Sequence, residues 1–516
     1  MRAAERNKRI MSKNNIRRAG SFFLLLLTLL GCFLLPSCGK EPRKEFNTLD
    51  DLRGCTFANA DGNSSYEPNI EKDIPGVQFA RYTNYFDTFI AVANGNADAA
   101  FCFKYTFIGL KEAYPGLRYV ETDFEIPIVA NFSAEADALR QDFNAFLAEA
   151  KQNGLLDRLA EKWMYGYDEL GDGDWVDFRD LNANGTVLKV AWNVTNVPYD
   201  YLRSGKTAGY EPALVYEFCK ARGYRPEITE TAYDSVVAGV ASGKYQMGVG
   251  AYGYTDERDE SSHFSDPIFT DRVVYVVNGE AESQGFWDAV KGSFERTFVR
   301  QDRWKLYVDG MLTTLLITVL SVVIGAAVGF AVFLLSQKSA VLTKISYGIN
   351  DTLEALPILV VLMVFFYVFF GKSDVSGTFV SVLVFGLSFA FSFFVLLCNS
   401  VRGIPKEQTE AGLALGYSRW QTLFKVVLPQ ATEAFVPGIR SAIVALLKGT
   451  AVVGYVAVQD LTKAGDLVRS QTFEAFLPII TVAILYFLLA KLLILLLNRL
   501  LVTPGERRRR KQEGRK

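Results

Sequence analysis

Five apolar runs in the second half of this 516-residue chain limit what it can fold into: Gly310 to Leu335, Leu353 to Phe370, Gly377 to Cys398, Val436 to Val458 and Ala475 to Leu497. Each approaches the roughly 20 residues that carry a helix across a bilayer, where every backbone polar group must be satisfied within the segment. Lys338 and Lys344, then Arg402, Lys406, Arg419 and Lys425, then the tail ERRRRKQEGRK flank these runs. Positive flanks stay on the cytoplasmic side, so five spans that come after an exported domain put the polar stretch 400–437 and the tail inside. The short loops 371–376 and 459–474 are then expected outside.

Within SVRGIPKEQTEAGLALGYSRWQTLFKVVLPQATEAFVP, a short helix over Glu410 to Leu415 should end at Gly416, because glycine accepts the positive φ of a C-cap. A second helix should start at Ser418, capped by that serine, and break at Pro429. Two short helices joined at a glycine form a knob able to enter a cleft on another protein. PKEQTEAGLALG, VVLPQA and LLKGTAVVGYVAVQDL, in that order, resemble the EAA loop and the span after it in binding-protein-dependent ABC importer permeases. GMLTTLLITVLSVVIGAAVG likewise resembles the first span of the polar amino-acid permeases. The resemblance implies that Glu410, Ala411, Gly412 and Gly416 couple to a separate cytoplasmic ATPase that holds ATP and magnesium, and that a second permease copy completes the pore. This chain departs from the family at Glu354, Val395 and Cys398, where the permeases carry an arginine and an acidic and basic pair.

The formal net charge of −1 gives no sign of nucleic acid as a partner. The six cysteines have neither paired nor zinc-like spacing, so a disulfide scaffold is not expected. Seven basic residues in 2–18 precede an apolar run, Phe22 to Leu35, of signal-peptide length. Leu35-Pro36-Ser37-Cys38-Gly39 resembles a bacterial lipobox, which makes Cys38 the residue to be lipidated, although proline two before the cysteine is unusual. An uncleaved signal anchor is the alternative. Either form exports the residues after Cys38.

From Leu49 to Trp163 strands alternate with helices: strands at Gly54 to Asn59, Val77 to Tyr82 and Ala97 to Phe103, and a helix carrying Phe86, Phe89, Ile90 and Ala93. Residues 186–278 repeat the plan, with VASGKYQMGVGA at 240–251 in register with VANGNADAAFCF at 92–103. Two such α/β lobes facing each other enclose a cleft at the carboxyl ends of their strands.

The second unit is similar to the first half of periplasmic polar amino-acid binding proteins, through NVPYDYLRSGKTAGYEPALVYEFCKARGY, TAYDSVVAGVASGKYQMGVGAY and YTDERDESSHFSDPIF. The first unit resembles that family's second half, through LDDLRGCTFANADGNSSYE and DFNAFLAEAKQNGLLDRLAEKW. The halves are thus in reversed order, joined by the acidic, glycine-bearing stretch 167–185. The expected organisation is a signal peptide with lipobox at 1–37, the second half of a solute-binding domain at 46–166, a linker at 167–185, the first half at 186–285, a permease domain at 300–502 and a basic tail at 503–516.

The resemblance places Arg258 where a guanidinium grips the ligand carboxylate by two charge-assisted hydrogen bonds, with Thr255 capping its helix. It places Tyr199 and Tyr233 near cleft aromatics, and Asn63 and Ser64 in a turn offering donors to the carboxylate. Three positions depart. Phe103 stands where an aspartate receives the ligand's ammonium, Asn193 at an early acidic position, and Gly253 where a Thr or Ser precedes TDER. Losing the carboxylate leaves an ammonium poorly paired in a desolvated cleft. His263 reads as a turn residue, and GVASGKY lacks the spacing of a phosphate loop.

The fold class expected is therefore multi-domain: an α/β two-lobed periplasmic binding domain (type II-like) followed by an all-α five-helix transmembrane domain. The expected function is a binding and permease subunit of an ATP-driven importer of polar amino acids or related small organic ions in the inner membrane. It is a transporter subunit, with no catalytic or metal site. A ligand-gated channel or a sensory membrane receptor is the alternative, since both couple two-lobed domains to membrane helices.

Overall fold

A computed structural model describes residues 45–171, 173–203, 205–231, 233–255, 263–279, 286–474 and 476–513. Cys38 and Arg258 lie outside them. Met1–Asn47 separates as one unit and Thr48–Lys516 as the other, and the second unit holds the sheets and helices named here.

Its α/β part is built on a nine-stranded sheet among the described residues. The strands are β1 Thr56–Ala60, β2 Gln78–Tyr82, β3 Ala99–Phe103, β4 Leu117–Phe132, β5 Thr186–Trp192, β6 Thr195–Asn196, β7 Asp200–Arg203, β8 Lys206–Ala208, β9 Tyr224–Glu230, β10 Met247–Gly253, β11 His263–Phe264 and β12 Phe269–Asn278. The main sheet runs β2-β1-β3-β12-β4-β10-β5-β9, with β11 on β4, while β6, β7 and β8 form a small meander. Two parallel triplets, β2-β1-β3 and β9-β5-β10, thus flank one antiparallel pair. β4 and β12 stay paired from Phe269↔Ile128 to Asn278↔Leu117.

The repeat read from sequence recurs in the hydrogen bonds. Helix α1, Tyr85–Asn94, turns at Gly95 (φ 75°) into β3, and helix α2, Tyr233–Ala241, turns at Gly243 (φ 74°) toward β10. Just before its strand, Asp98 accepts the backbone N–H of Thr56 at 2.8 Å; at the equivalent place Gln246 accepts that of Lys189 at 3.0 Å. Each turn is thereby tied to the first strand of its own unit. The linking stretch is tied down as well, because the Asn182 amide donates to the carbonyls of Cys219 and Tyr224.

The membrane part contains helices α3 Trp304–Ser336, α4 Ala340–Ala355, α5 Gly377–Arg402, α6 Lys406–Ala414, α7 Leu428–Gly449, α8 Leu461–Thr472, α9 Leu477–Leu500 and α10 Pro504–Glu513. Among the described residues, four helical stretches are long and apolar enough to cross a membrane: α3, α5, Arg419–Val456 and α9. At 1.5 Å per residue the 33 residues of α3 extend about 50 Å. α3 and α5 approach closely at glycines: a Cβ on Gly329 would lie 2.3 Å from the Ala390 carbonyl oxygen. Small residues at such crossings let helix backbones pack without a hydrophobic driving force.

Three expectations need correction. The second apolar run, Leu353 to Phe370, is not one straight span: α4 and the segment Ile358–Phe369 are bent by 103° at Leu356-Pro357, because proline disfavours helix in the residue before it. Pro429 does not break its helix. It sits in the first turn of α7, after a π-helical turn at Leu423–Val427, where proline's missing N–H costs little. Residues 459–474 are not a loop, since α8 fills them, capped by Asp460, whose carboxylate accepts the Lys463 N–H at 2.9 Å.

Candidate functional site

A cavity of about 520 Å³ opens where the two triplets face each other. Its wall is formed at the carboxyl ends of the strands: Ala60 at the end of β1, Thr83 after β2, Phe103 of β3, Asn193 after β5, Tyr233 after β9, and Gly250, Ala251 and Gly253 of β10. The other wall belongs to the membrane part: Ala451, Gly454 and Tyr455, then Asp460, Thr462, Lys463, Asp466 and Ser470 on α8.

Local bonds fix the α/β wall. Asn59, fully buried in β1, donates to Glu67 at 2.9 Å and to the Asn63 carbonyl at 3.3 Å, which pins the turn Asp61–Tyr66. Glu211 is fully buried, and both its oxygens accept the Ala251 N–H, at 3.1 and 3.0 Å, holding that residue at φ 52°. Burial pushes the Glu211 carboxyl up. The Asn196 amide donates to the Gly250 carbonyl at 3.1 Å. Gly253 has a steric reason: a Cβ there would sit 2.0 Å from the hydroxyl of Tyr66, whose ring stacks on Phe101. The departure read at Gly253 is therefore matched by a tyrosine from the turn after β1.

Of the expected binding residues, Asn63, Asn193 and Tyr233 line the cavity. Ser64 lies in the same turn as Asn63, and Thr255 in the coil after β10. Tyr199 is fully buried; its ring lies edge-on to Phe103 at 6.3 Å and its hydroxyl donates to Asp271. Sequence reasoning misses the α8 residues. Their signal is present in DLTKAGDLVRSQT: an N-capping Asp, then Leu461, Ala464, Leu467 and Val468 at helical spacing, all buried.

The membrane part braces the α/β part on both sides of this cavity. On one side Arg469 pairs with Asp87 of α1, and the Phe473 ring packs edge-on against Phe86 at 5.4 Å. On the other, Gln459 donates to Glu230 at 2.6 Å, Ser235 donates to the Tyr455 carbonyl at 3.0 Å, and Tyr367 donates to the same carbonyl at 3.0 Å. Lys244, whose ammonium burial pushes down, reaches the carbonyls of Phe370 and Ser373 at 3.2 and 3.3 Å.

Far along the sequence, α6 ends as Gly416 adopts φ 84°, and Ser418 forms a capping box with Gln421. Gly412 is buried because α6 crosses Thr422 there: a Cβ would meet the Thr422 methyl at 2.6 Å. Glu410 and Ala411 are exposed. Leu413, Leu415, Tyr417, Trp420 and Phe424 form an exposed apolar cap, with Leu415 77% accessible. A cap of this kind on a helical knob marks an interaction surface.

Residues 321–503 match the family described as binding-protein-dependent transport system inner membrane component. Among its relatives, the L-cystine transport system permease protein TcyB of Bacillus subtilis is 26% identical over 210 residues, 40% of this chain and 86% of that protein. The arginine ABC transporter permease protein ArtQ of Haemophilus influenzae is 28% identical over 186 residues, 34% of this chain and 82% of that protein. A solved structure described as an amino acid ABC transporter with histidines is 23% identical; it covers 44% of this chain and all of its own, with a TM-score of 0.37. The relatives are permease subunits rather than enzymes, and the apolar helices make this a multi-pass inner-membrane protein.

Proposed function

We propose that the chain is a receptor and permease in one polypeptide: the solute-binding and membrane subunit of an ATP-driven importer for polar amino acids or related small organic ions. Residues 46–285 form one circularly permuted, two-lobed receptor, with β4 and β12 as the connection its lobes share. The observation that carries this reading is the cavity at the carboxyl ends of both triplets, in a chain whose residues 321–503 match the binding-protein-dependent transport system inner membrane components. Small ligands bind at that position in α/β folds because the strand ends present free backbone groups and loops there.

In this reading the receptor faces outward, and α6, the knob and the basic tail face the cytoplasm. A separate ATPase grips Glu410, Ala411, Gly412 and Gly416 and the apolar cap, and a second permease copy completes the translocation path. Cys38 is the lipidation site. Joining receptor to permease raises the receptor's effective concentration to roughly millimolar, since it never leaves the membrane.

The test is uptake by vesicles containing the full chain and its ATPase, with L-glutamine, L-glutamate, L-arginine and L-cystine as probes. ATP-dependent accumulation of at least one probe is expected. Solute flux that proceeds without ATP selects the ligand-gated channel, and ATP turnover stimulated by a probe without uptake selects the sensor.

A further inference from the structure

The charged groups of the cavity come from the membrane part. Among the described residues, the α/β wall contributes only neutral side chains, Asn63, Tyr66, Asn84, Phe103, Asn193 and Tyr233 among them. The three charged residues that line the cavity there, Asp460, Lys463 and Asp466, stand on or cap α8. Asp460 is already committed: it caps α8 and accepts the Tyr486 hydroxyl at 3.1 Å. Lys463 and Asp466 have no ion pair or side-chain hydrogen bond among the described residues. Asp466 exposes its side chain to the cavity, and Lys463 is half-buried on the same helix. Burial lowers the Lys463 ammonium and raises the Asp466 carboxyl; their mutual attraction, and that of Asp460 and Glu230 for Lys463, opposes the shifts without outweighing desolvation.

We propose that the solute is bound jointly, its ammonium by Asp466 and its carboxylate by Lys463, so that the permease completes the charge recognition that the α/β wall lacks. The inference rests on the reading of this cavity as the solute site. It accounts for Phe103 and Asn193: a neutral wall suffices when the opposite wall supplies an acid and a base one helical turn apart. Two opposite charges on one face of a rigid helix suit a zwitterionic α-amino acid, while the polar, aromatic α/β wall surrounds its side chain.

The test uses the purified full-length chain in lipid nanodiscs and measures binding of L-glutamine, L-glutamate, L-arginine and L-cystine. The strongest binder is then compared with its N-acetyl form and its carboxamide form. Wild-type protein should bind the unmodified amino acid at least tenfold more tightly than either derivative. In Asp466→Asn the preference over the N-acetyl form should vanish, and in Lys463→Met the preference over the carboxamide should vanish. Asp466→Glu should restore part of the first preference, which a merely structural role would not do. Wild-type binding that both variants retain, with both preferences intact, overturns joint recognition and leaves the receptor reading standing. Failure of the wild type to bind any of the four amino acids overturns both.

Discussion

Phe473 offers the sharpest test of how the membrane part is seated on the α/β part. Its ring is 3% accessible and packs edge-on against Phe86, with Phe89 behind it. Its backbone sits at φ 53°, a conformation that glycine accepts freely and alanine does not. Truncating a buried phenylalanine to alanine costs about 3–5 kcal/mol. At about 1.4 kcal/mol per tenfold, that is two to almost four powers of ten in the equilibrium for undocking. Phe473→Gly loses the same ring but relieves the left-handed backbone, and so recovers about 1 kcal/mol relative to Phe473→Ala. Amide hydrogen exchange, followed region by region in the full chain, reads the effect directly. Amides of Tyr85–Asn94 and Leu461–Thr472 should exchange faster in both variants, and the glycine variant should be the better protected of the two. Wild-type protection in Phe473→Ala would refute the anchoring role, and a glycine variant less protected than the alanine one would refute the backbone contribution.

Other substitutions probe separate parts of the molecule. Gly412→Val drives a branched side chain into Thr422, where even a Cβ lies at 2.6 Å, so the knob should deform; ATPase copurification should fall while solute binding by the same preparation stays unchanged. Gly329→Leu removes the close passage of α3 along α5 and should sharply lower the yield of folded protein in the membrane, measured by gel filtration in detergent. Asp271 is fully buried, and desolvation lifts its carboxyl from 3.8 to about 6. A raised carboxylate pKa means that the folded state binds the proton more tightly. Stability from this group is therefore present below about pH 4 and lost as pH rises to about 6, by about 2–3 kcal/mol at most. Asp271→Asn, which keeps an acceptor for Tyr199, should flatten thermal unfolding profiles over that window and be the more stable protein at about pH 7.5.

Legibility in the sequence tracks the range of the interactions. The two repeated units are readable because a strand, a helix and a glycine turn are local, and the matching bonds of Asp98 and Gln246 fall at the aligned positions. The knob is readable for the same reason: Gly416 and Ser418 carry their conformations in their own chemistry. The bend at Leu356-Pro357 escapes a hydropathy reading because the apolar run continues through it, although the proline is in view. α8 reads as a loop because its charges break the apolar pattern. The groups those charges face are assembled from strand ends more than two hundred residues away in sequence, and no local pattern reports that. Tyr199 shows the converse. An aromatic placed near the cleft by resemblance is core, since its hydroxyl finds Asp271 on β12. Gly253 likewise becomes intelligible only once Tyr66 is seen above it.

α8 is tied at one end to Asp87 of α1, and the residue just ahead of its cap, Gln459, is tied to Glu230 at the end of β9, so this segment is fixed to both repeated units at once. A strut fixed to two bodies makes their separation and its own tilt a single variable. If a nucleotide-driven change in the membrane helices tilts this strut, the solute's dissociation constant must change with it. Linkage then requires the reverse by an equal free energy: solute in the cavity must alter how tightly the partner ATPase holds nucleotide. In a separate receptor that dialogue ends whenever the receptor diffuses away. On the proposed reading of the chain as receptor and permease in one, the covalent connection keeps both ends of it engaged, so an empty receptor signals its state to the ATPase as steadily as a loaded one.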